Sequence, residues 1–123
     1  MLRVLVIEDE KEIRELLDGA LTVAGFNVEV ASNGHEGIER YIESYFDVVI
    51  TDGEMPHLSG NDVLNYIRQS SRPETPVIGI SATPWMLSGQ GFDAVISKPF
   101  SLKSLLNEIE EISLNLLLAA TAM

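Results

Sequence analysis

The sequence predicts an α/β fold: a doubly wound, five-stranded parallel sheet in the order 2-1-3-4-5, with the helix between the fourth and fifth strands shortened or lost. Three observations carry that prediction. Short Val- and Ile-rich runs alternate with helix-period segments from end to end. Two of those runs, Leu2–Ile7 and Phe46–Thr51, are almost continuously apolar, as central strands buried on both faces are, whereas Asn27–Ala31 is half polar and suits an edge. Both central runs end on carboxylates, Glu8-Asp9 and Asp52, at the rim where a sheet of this order reverses and places its ligands.

Each element follows from its own pattern. After the first strand, Ile13, Leu16, Leu17, Ala20 and Leu21 fall on one helical face. Asp9, with Glu12 three residues on, reads as a capping-box start for that helix, and Gly25 as its C-terminal stop. A helix after Asn33-Gly34 buries Ile38, Tyr41 and Ile42. Another opens at Ser59, with Asp62 three residues later and Val63, Leu64 and Ile67 facing inward. Thr75–Ile80 and Asp93–Ser97 are the fourth and fifth strands. The last helix begins after Ser101 and buries Leu102, Leu105, Leu106, Ile109 and Ile112.

The whole chain, 123 residues, is the size of one domain. With 8 Lys and Arg against 19 Asp and Glu, the net charge of −11 repels phosphate backbones, so no nucleic-acid partner is expected of this domain. The absence of cysteine excludes disulfides and thiolate metal sites and fits a reducing compartment. Met1-Leu2-Arg3 runs straight into a strand, so no signal peptide is expected, and no apolar stretch is long enough to make a membrane a partner.

Glu8, Asp9 and Asp52 are the residues that carry chemistry. An acid before a helix is most often a cap, and an Asp after a strand often merely begins a loop. Convergence changes the odds, because clustered carboxylates must be protonated or share a cation to stay charged. Mg²⁺, with octahedral oxygen ligands, resolves that repulsion, and an aspartate beside it can accept a phosphoryl group. The next two strands end at the same rim on Ser81, a hydroxyl donor, and Lys98, an ammonium able to neutralise a transferring phosphoryl group.

With VLVIEDE at 4–10, VVITDGEMP at 48–56, Gly60, ISA at 80–82 and GFDAVISKPF at 91–100, residues 2–112 resemble a response-regulator receiver domain of two-component signalling. The resemblance implies a flavodoxin-like fold and a cytoplasmic signalling switch that catalyses only its own phosphorylation and dephosphorylation. It implies Asp52 as phosphoacceptor and Asp9 as a direct Mg²⁺ ligand. Glu8 would act nearby through water, and the Glu54 backbone carbonyl would be the remaining protein ligand. Ser81 would be the switch hydroxyl, Lys98 the cation paired with Asp52, and Pro99 would follow a cis peptide. A sensor histidine kinase or phosphotransfer protein would be the donor.

Two departures from the family concern output. Val95 stands where an aromatic residue usually moves with the switch hydroxyl. Only nine residues, Ala82 to Gln90, separate Ser81 from Gly91, so a full helix does not fit and about one turn is expected. Trp85, Met86 and Leu87 in that segment either cover the sheet or form an exposed docking patch.

The domain is expected to span 1–112, with 113–123 an apolar C-terminal extension or linker stub. Leu102, Leu105, Ile109, Ile112, Leu116 and Ala119 make a heptad seam, so this end reads as a frayed tail, a homodimerising helix or the stub of a linker. His35 is expected to be exposed, and His57 is a poor ligand for an oxygen-type site. The alternatives to a phosphorylated switch are a receiver-fold binding module that works without phosphorylation and an aspartate phosphatase using Asp52 and Glu54. The second lacks a cap-sized insertion, and a flavin-binding form of the sheet would meet acidic loops that repel phosphate.

Overall fold

The computed structural model describes residues 1–121. Among them a five-stranded parallel sheet has the order β2-β1-β3-β4-β5, as expected. Its strands are β1 (Arg3–Ile7), β2 (Asn27–Ala31), β3 (Val48–Asp52), β4 (Val77–Ser81) and β5 (Ala94–Ser97). The helices are α1 (Lys11–Val23), α2 (Gly34–Glu43), α3 (Gly60–Arg68) and α4 (Leu102–Thr121).

Side-chain alternation along β1 divides the core. Val4 and Val6 join Leu17, Leu21, Leu105 and Ile109 under α1 and α4. Leu5 and Ile7 join Tyr41, Val63, Leu64 and Ile67 under α2 and α3. Both faces of the central strands are thereby buried, which is why β1 and β3 read as unbroken apolar runs.

β1 and β5 begin one residue later than expected, and β3 and β4 begin two residues later. Phe46 is buried but precedes β3, beneath the Arg3 guanidinium at 5.0 Å, and the Asp47 carboxylate accepts the Arg3 N–H at 2.8 Å. Before β4, the Thr75 hydroxyl is bound to the Tyr41 hydroxyl at 2.8 Å, and Pro76 has no N–H to donate. β3 and β4 also run one residue further than expected, so Asp52 and Ser81 are their last residues.

The helix starts are partly as expected. Ser59 and Asp62 form a reciprocal capping box on α3, and the Asn33 side chain accepts the Glu36 N–H on α2. Gly25, at φ +100°, follows the last residue of the α1 cap. The capping box expected of Asp9 and Glu12 is absent: Glu10 is the cap position and its side chain makes no capping bond. Asp9 stands instead against Glu8 and Asp52 at the sheet rim. Leu16 and Ile42, expected in the core, are 52% and 62% exposed because each lies at the edge of its helix's buried stripe.

Between β4 and β5 a single 3-10 turn, Pro84–Met86, replaces a helix. Leu87 folds down into the core, into the space left by Gly53 and Gly79, where an added Cβ would stand 3.0 and 2.8 Å from its methyl carbons. Trp85 and Met86 stay out, 71% and 63% exposed, so this segment divides between covering the sheet and facing solvent. At the C-terminus α4 continues past its last core residue, Ile112, to Thr121, with Leu114, Leu116, Leu117 and Leu118 exposed. The final two positions of the 113–123 extension lie outside the described residues.

Gly60 ties α3 to the site. Its N–H donates to the Gly53 carbonyl at 3.0 Å, and a Cβ there would stand 2.6 Å from the Asp52 carbonyl oxygen and 2.9 Å from the Gly53 Cα. Those are backbone atoms and cannot rotate away. Gly60→Ala is expected to destabilise the fold by about 1–3 kcal/mol, the usual cost of forced overpacking. Thermal unfolding checks this, and an unchanged midpoint would contradict the close packing.

Candidate functional site at the carboxyl end of the sheet

Ladder bonds that run past the strand ends hold the site residues. The Glu8 N–H donates to Ala31 O at 3.0 Å, Gly53 N–H to Ile80 O at 2.8 Å, and Lys98 N–H to Ser81 O at 2.8 Å. Backbones continuing the parallel register therefore present Glu8, Asp52, Ser81 and Lys98 along one rim. The Lys98–Pro99 bond is cis.

Lys98 Nζ lies 3.2 Å from Glu8 Oε1 and 3.2 Å from Asp52 Oδ2, with Glu10 Oε1 at 3.7 Å. Glu8 and Asp52 are only 1% and 4% exposed, so two buried acids face one cation. Burial pushes the Glu8 carboxyl up to about 7, against a backbone N–H of Glu10 that lowers it, and the Asp52 charge adds to the rise. Burial likewise raises Asp52, more than the Lys98 charge lowers it. Burial alone would lower Lys98, but Asp52 and Glu8 together hold it above its ordinary value. Asp9 stands against both Glu8 and Asp52 and pushes both upward.

Glu54 is turned away from this cluster. Its backbone N–H donates to Asp52 Oδ1 at 3.3 Å, while its carboxylate accepts from the hydroxyls of Ser81 and Thr83. Burial would raise its carboxyl, but those two hydroxyls outweigh it and the result is lowered. Val95 pairs with Gly79 in the register and is half-buried, behind the rim. His57 is exposed, at φ +69° in a turn where Leu58 N–H reaches Pro56 O at 2.8 Å, and His35 is exposed as expected.

Glu10 was not among the residues singled out from the sequence. Carboxylate oxygens of Glu8, Glu10 and Asp52 all lie within 4.8 Å of one another. Its signal was its place as the third acid of the run Glu8-Asp9-Glu10, but an exposed side chain three residues past a strand has no pattern to show where it turns. Asp9 Oδ1, by contrast, is buried with no hydrogen-bond partner among the described residues. An orphaned carboxylate oxygen beside two raised acids is an oxygen donor set that fits a hard divalent cation.

A rim of acids, a hydroxyl and a lysine on consecutive strand ends is also where the likeness to known proteins lies. The family model described as the response regulator receiver domain matches residues 4–110. The chain belongs to the response regulator receiver family. This receiver domain is 36% identical over 113 residues to the transcriptional regulatory protein DltR of Streptococcus agalactiae, covering 88% of this chain and 50% of that one. It is 32% identical over 117 residues to the response regulator ArlR of Staphylococcus aureus, covering 91% of this chain and 52% of that one. The chain thus spans about half the length of these relatives.

Among solved structures, the receiver domain superposes on a response regulator receiver domain protein from Clostridium thermocellum with a TM-score of 0.86. Identity there is 31%, over 96% of this chain and 99% of that one. TrrA from Thermotoga maritima, solved in complex with Mg²⁺ and BeF, gives a TM-score of 0.83 at 32% identity, over 91% of this chain and 99% of that one. Among the described residues no helix is long and apolar enough to cross a membrane.

Raised folded-state carboxyls set the sign of the pH dependence. Glu8 holds its proton in the folded chain up to about 7, and unfolded it releases it near 4.5. Between those values the folded state binds more protons, so metal-free stability falls as pH rises through that window and levels off above it. Asp52 acts in the same direction. Asp52→Asn, which removes one buried charge and leaves Lys98 paired with Glu8, is expected to stabilise the fold by about 1 kcal/mol. Unfolding midpoints across the window check both, and stability that rises with pH would contradict the burial of these acids.

Proposed function

We propose that this receiver domain is a cytoplasmic phosphoacceptor switch in which Asp52 takes a phosphoryl group from a phosphohistidine of a sensor kinase or phosphotransfer protein. The observation that carries the reading is Lys98 Nζ, 3.2 Å from the buried Asp52 carboxylate. The P–O bond to Asp52 forms as the P–N bond to the donor imidazole breaks. Lys98 neutralises charge at the transferring group, and its second partner, Glu8, keeps it in place when Asp52 carries the acyl phosphate.

Asp9, Glu8, Asp52 and the Glu54 carbonyl are the groups assigned to hold Mg²⁺, with Glu10 close enough to join them. Bound there, the ion would supply charge neutralisation for the incoming phosphoryl oxygens. Ser81, at the end of β4, is the hydroxyl assigned to bind a phosphoryl oxygen after transfer. Output then passes through protein–protein contacts. The 3-10 turn Pro84–Met86 and Val95 set the face available for them apart from one built on a full helix and an aromatic switch. The same two features favour a second reading, a binding module indifferent to phosphorylation, and a partner complex unaffected by Asp52→Asn would mark it.

Incubation with acetyl phosphate and Mg²⁺ is expected to add the mass of one phosphoryl group to the intact protein. Chelation of the metal and Asp52→Ala are each expected to abolish that addition. Lys98→Ala is expected to slow it by roughly two orders of magnitude, as loss of one preorganised charge does. Phosphoryl mass that survives Asp52→Ala would overturn the assignment.

A further inference from the structure

Ser81 is fully buried, so its hydroxyl proton needs an acceptor inside the protein. That acceptor is Glu54 Oε1. The same oxygen takes a second bond, from Thr83 Oγ1 at 2.7 Å, and the Thr83 N–H donates to Ser81 Oγ at 2.9 Å. Glu54, Ser81 and Thr83 thus close a small ring in which two hydroxyls are committed to one carboxylate oxygen. Its backbone N–H, bonded to Asp52 Oδ1, starts the Glu54 side chain from the edge of the acidic cluster.

A phosphoryl oxygen on Asp52 would offer Ser81 the same chemistry that Glu54 offers now, an anionic oxygen acceptor. A hydroxyl carries one proton and cannot donate it to both. We propose that the Glu54 side chain is the resting-state acceptor for the Ser81 hydroxyl, and that it competes with the phosphoryl group for that proton. The proposal rests on Asp52 being the phosphoacceptor. The Glu54 side chain is a positioning group: it sets where the Ser81 hydroxyl points, and only the Glu54 backbone touches Asp52.

The two ends of the latch differ in burial, which gives the exchange its direction. Glu54 is exposed, so once released its carboxylate is hydrated by bulk water. Ser81 has no such access and must always bond within the site. Thr83, also bound to Glu54 Oε1, stabilises the resting arrangement.

The test is a cycle of Mg²⁺-dependent beryllium fluoride binding, measured by calorimetry on the wild-type chain, Glu54→Ala, Ser81→Ala and the double variant. Glu54→Ala is expected to bind about tenfold more tightly, as release of one charge-assisted hydrogen bond implies. In the Ser81→Ala background that gain is expected to vanish. Glu54→Gln, which keeps an uncharged acceptor, is expected to fall between wild type and Glu54→Ala. A gain that persists undiminished without Ser81 would mean that Glu54 acts by charge repulsion alone and would overturn the latch. So would a Glu54→Ala chain that binds no more tightly than wild type. Failure of the wild-type chain to bind beryllium fluoride or accept a phosphoryl group is a separate result, which removes Asp52 as phosphoacceptor and the latch with it.

Discussion

Lys98, held between Glu8 and Asp52 at 3.2 Å from each, is the contact on which the rest of the site depends. Without it two carboxylates would lie buried and adjacent with no counter-charge, an arrangement that costs several kcal/mol per ion. With it they are only partly compensated, since Asp9 adds a third acid and both buried carboxyls remain raised. The rim is therefore strained electrostatically in the metal-free chain, and a cation entering it relieves that strain. Unfavourable charge kept in a fold is a mark of a site retained for chemistry.

What holds the acids in place is the sheet beneath them. Val4 to Ile7 and Val48 to Ile50 are buried on both faces, and the strand register continues one residue beyond β1 and β3 through the N–H groups of Glu8 and Gly53. A shift of one residue would turn every side chain to the opposite face. The core that fixes the register thus also fixes the charges. Gly60 seals the arrangement, bringing α3 against the carbonyl of Asp52 where no side chain fits.

The β4–β5 connection shows the same packing logic with a different outcome. A full helix would cover this part of the sheet, but Pro84–Met86 makes only one turn, and Leu87, with Phe92 beside it over Gly79, takes over the covering role. Gly79 and Gly53 leave the space it needs. Trp85 and Met86 consequently remain at the surface, Met86 in the same hollow as Glu54 and Thr83.

Most of the architecture was legible in the chain itself. Alternating strand and helix periods determined five strands, their order and the meeting of Glu8, Asp52, Ser81 and Lys98 at one rim, because buried parallel strands must be apolar and their ends are where polar groups can reach solvent. The short Ala82–Gln90 interval likewise determined that no full helix forms there. Local pattern was a poorer guide where one position had two roles open to it: Asp9 has the spacing of a helix cap, yet turns to the acidic rim, and Leu16 and Ile42 have the spacing of core residues, yet lie at stripe edges. Only the tertiary structure decided where flexible side chains point. That Glu10 swings in toward Glu8 and Asp52, and that Glu54 turns out to Ser81 and Thr83, depends on which donors and charges distant segments bring within reach. Sequence spacing along one strand or helix carries no record of that.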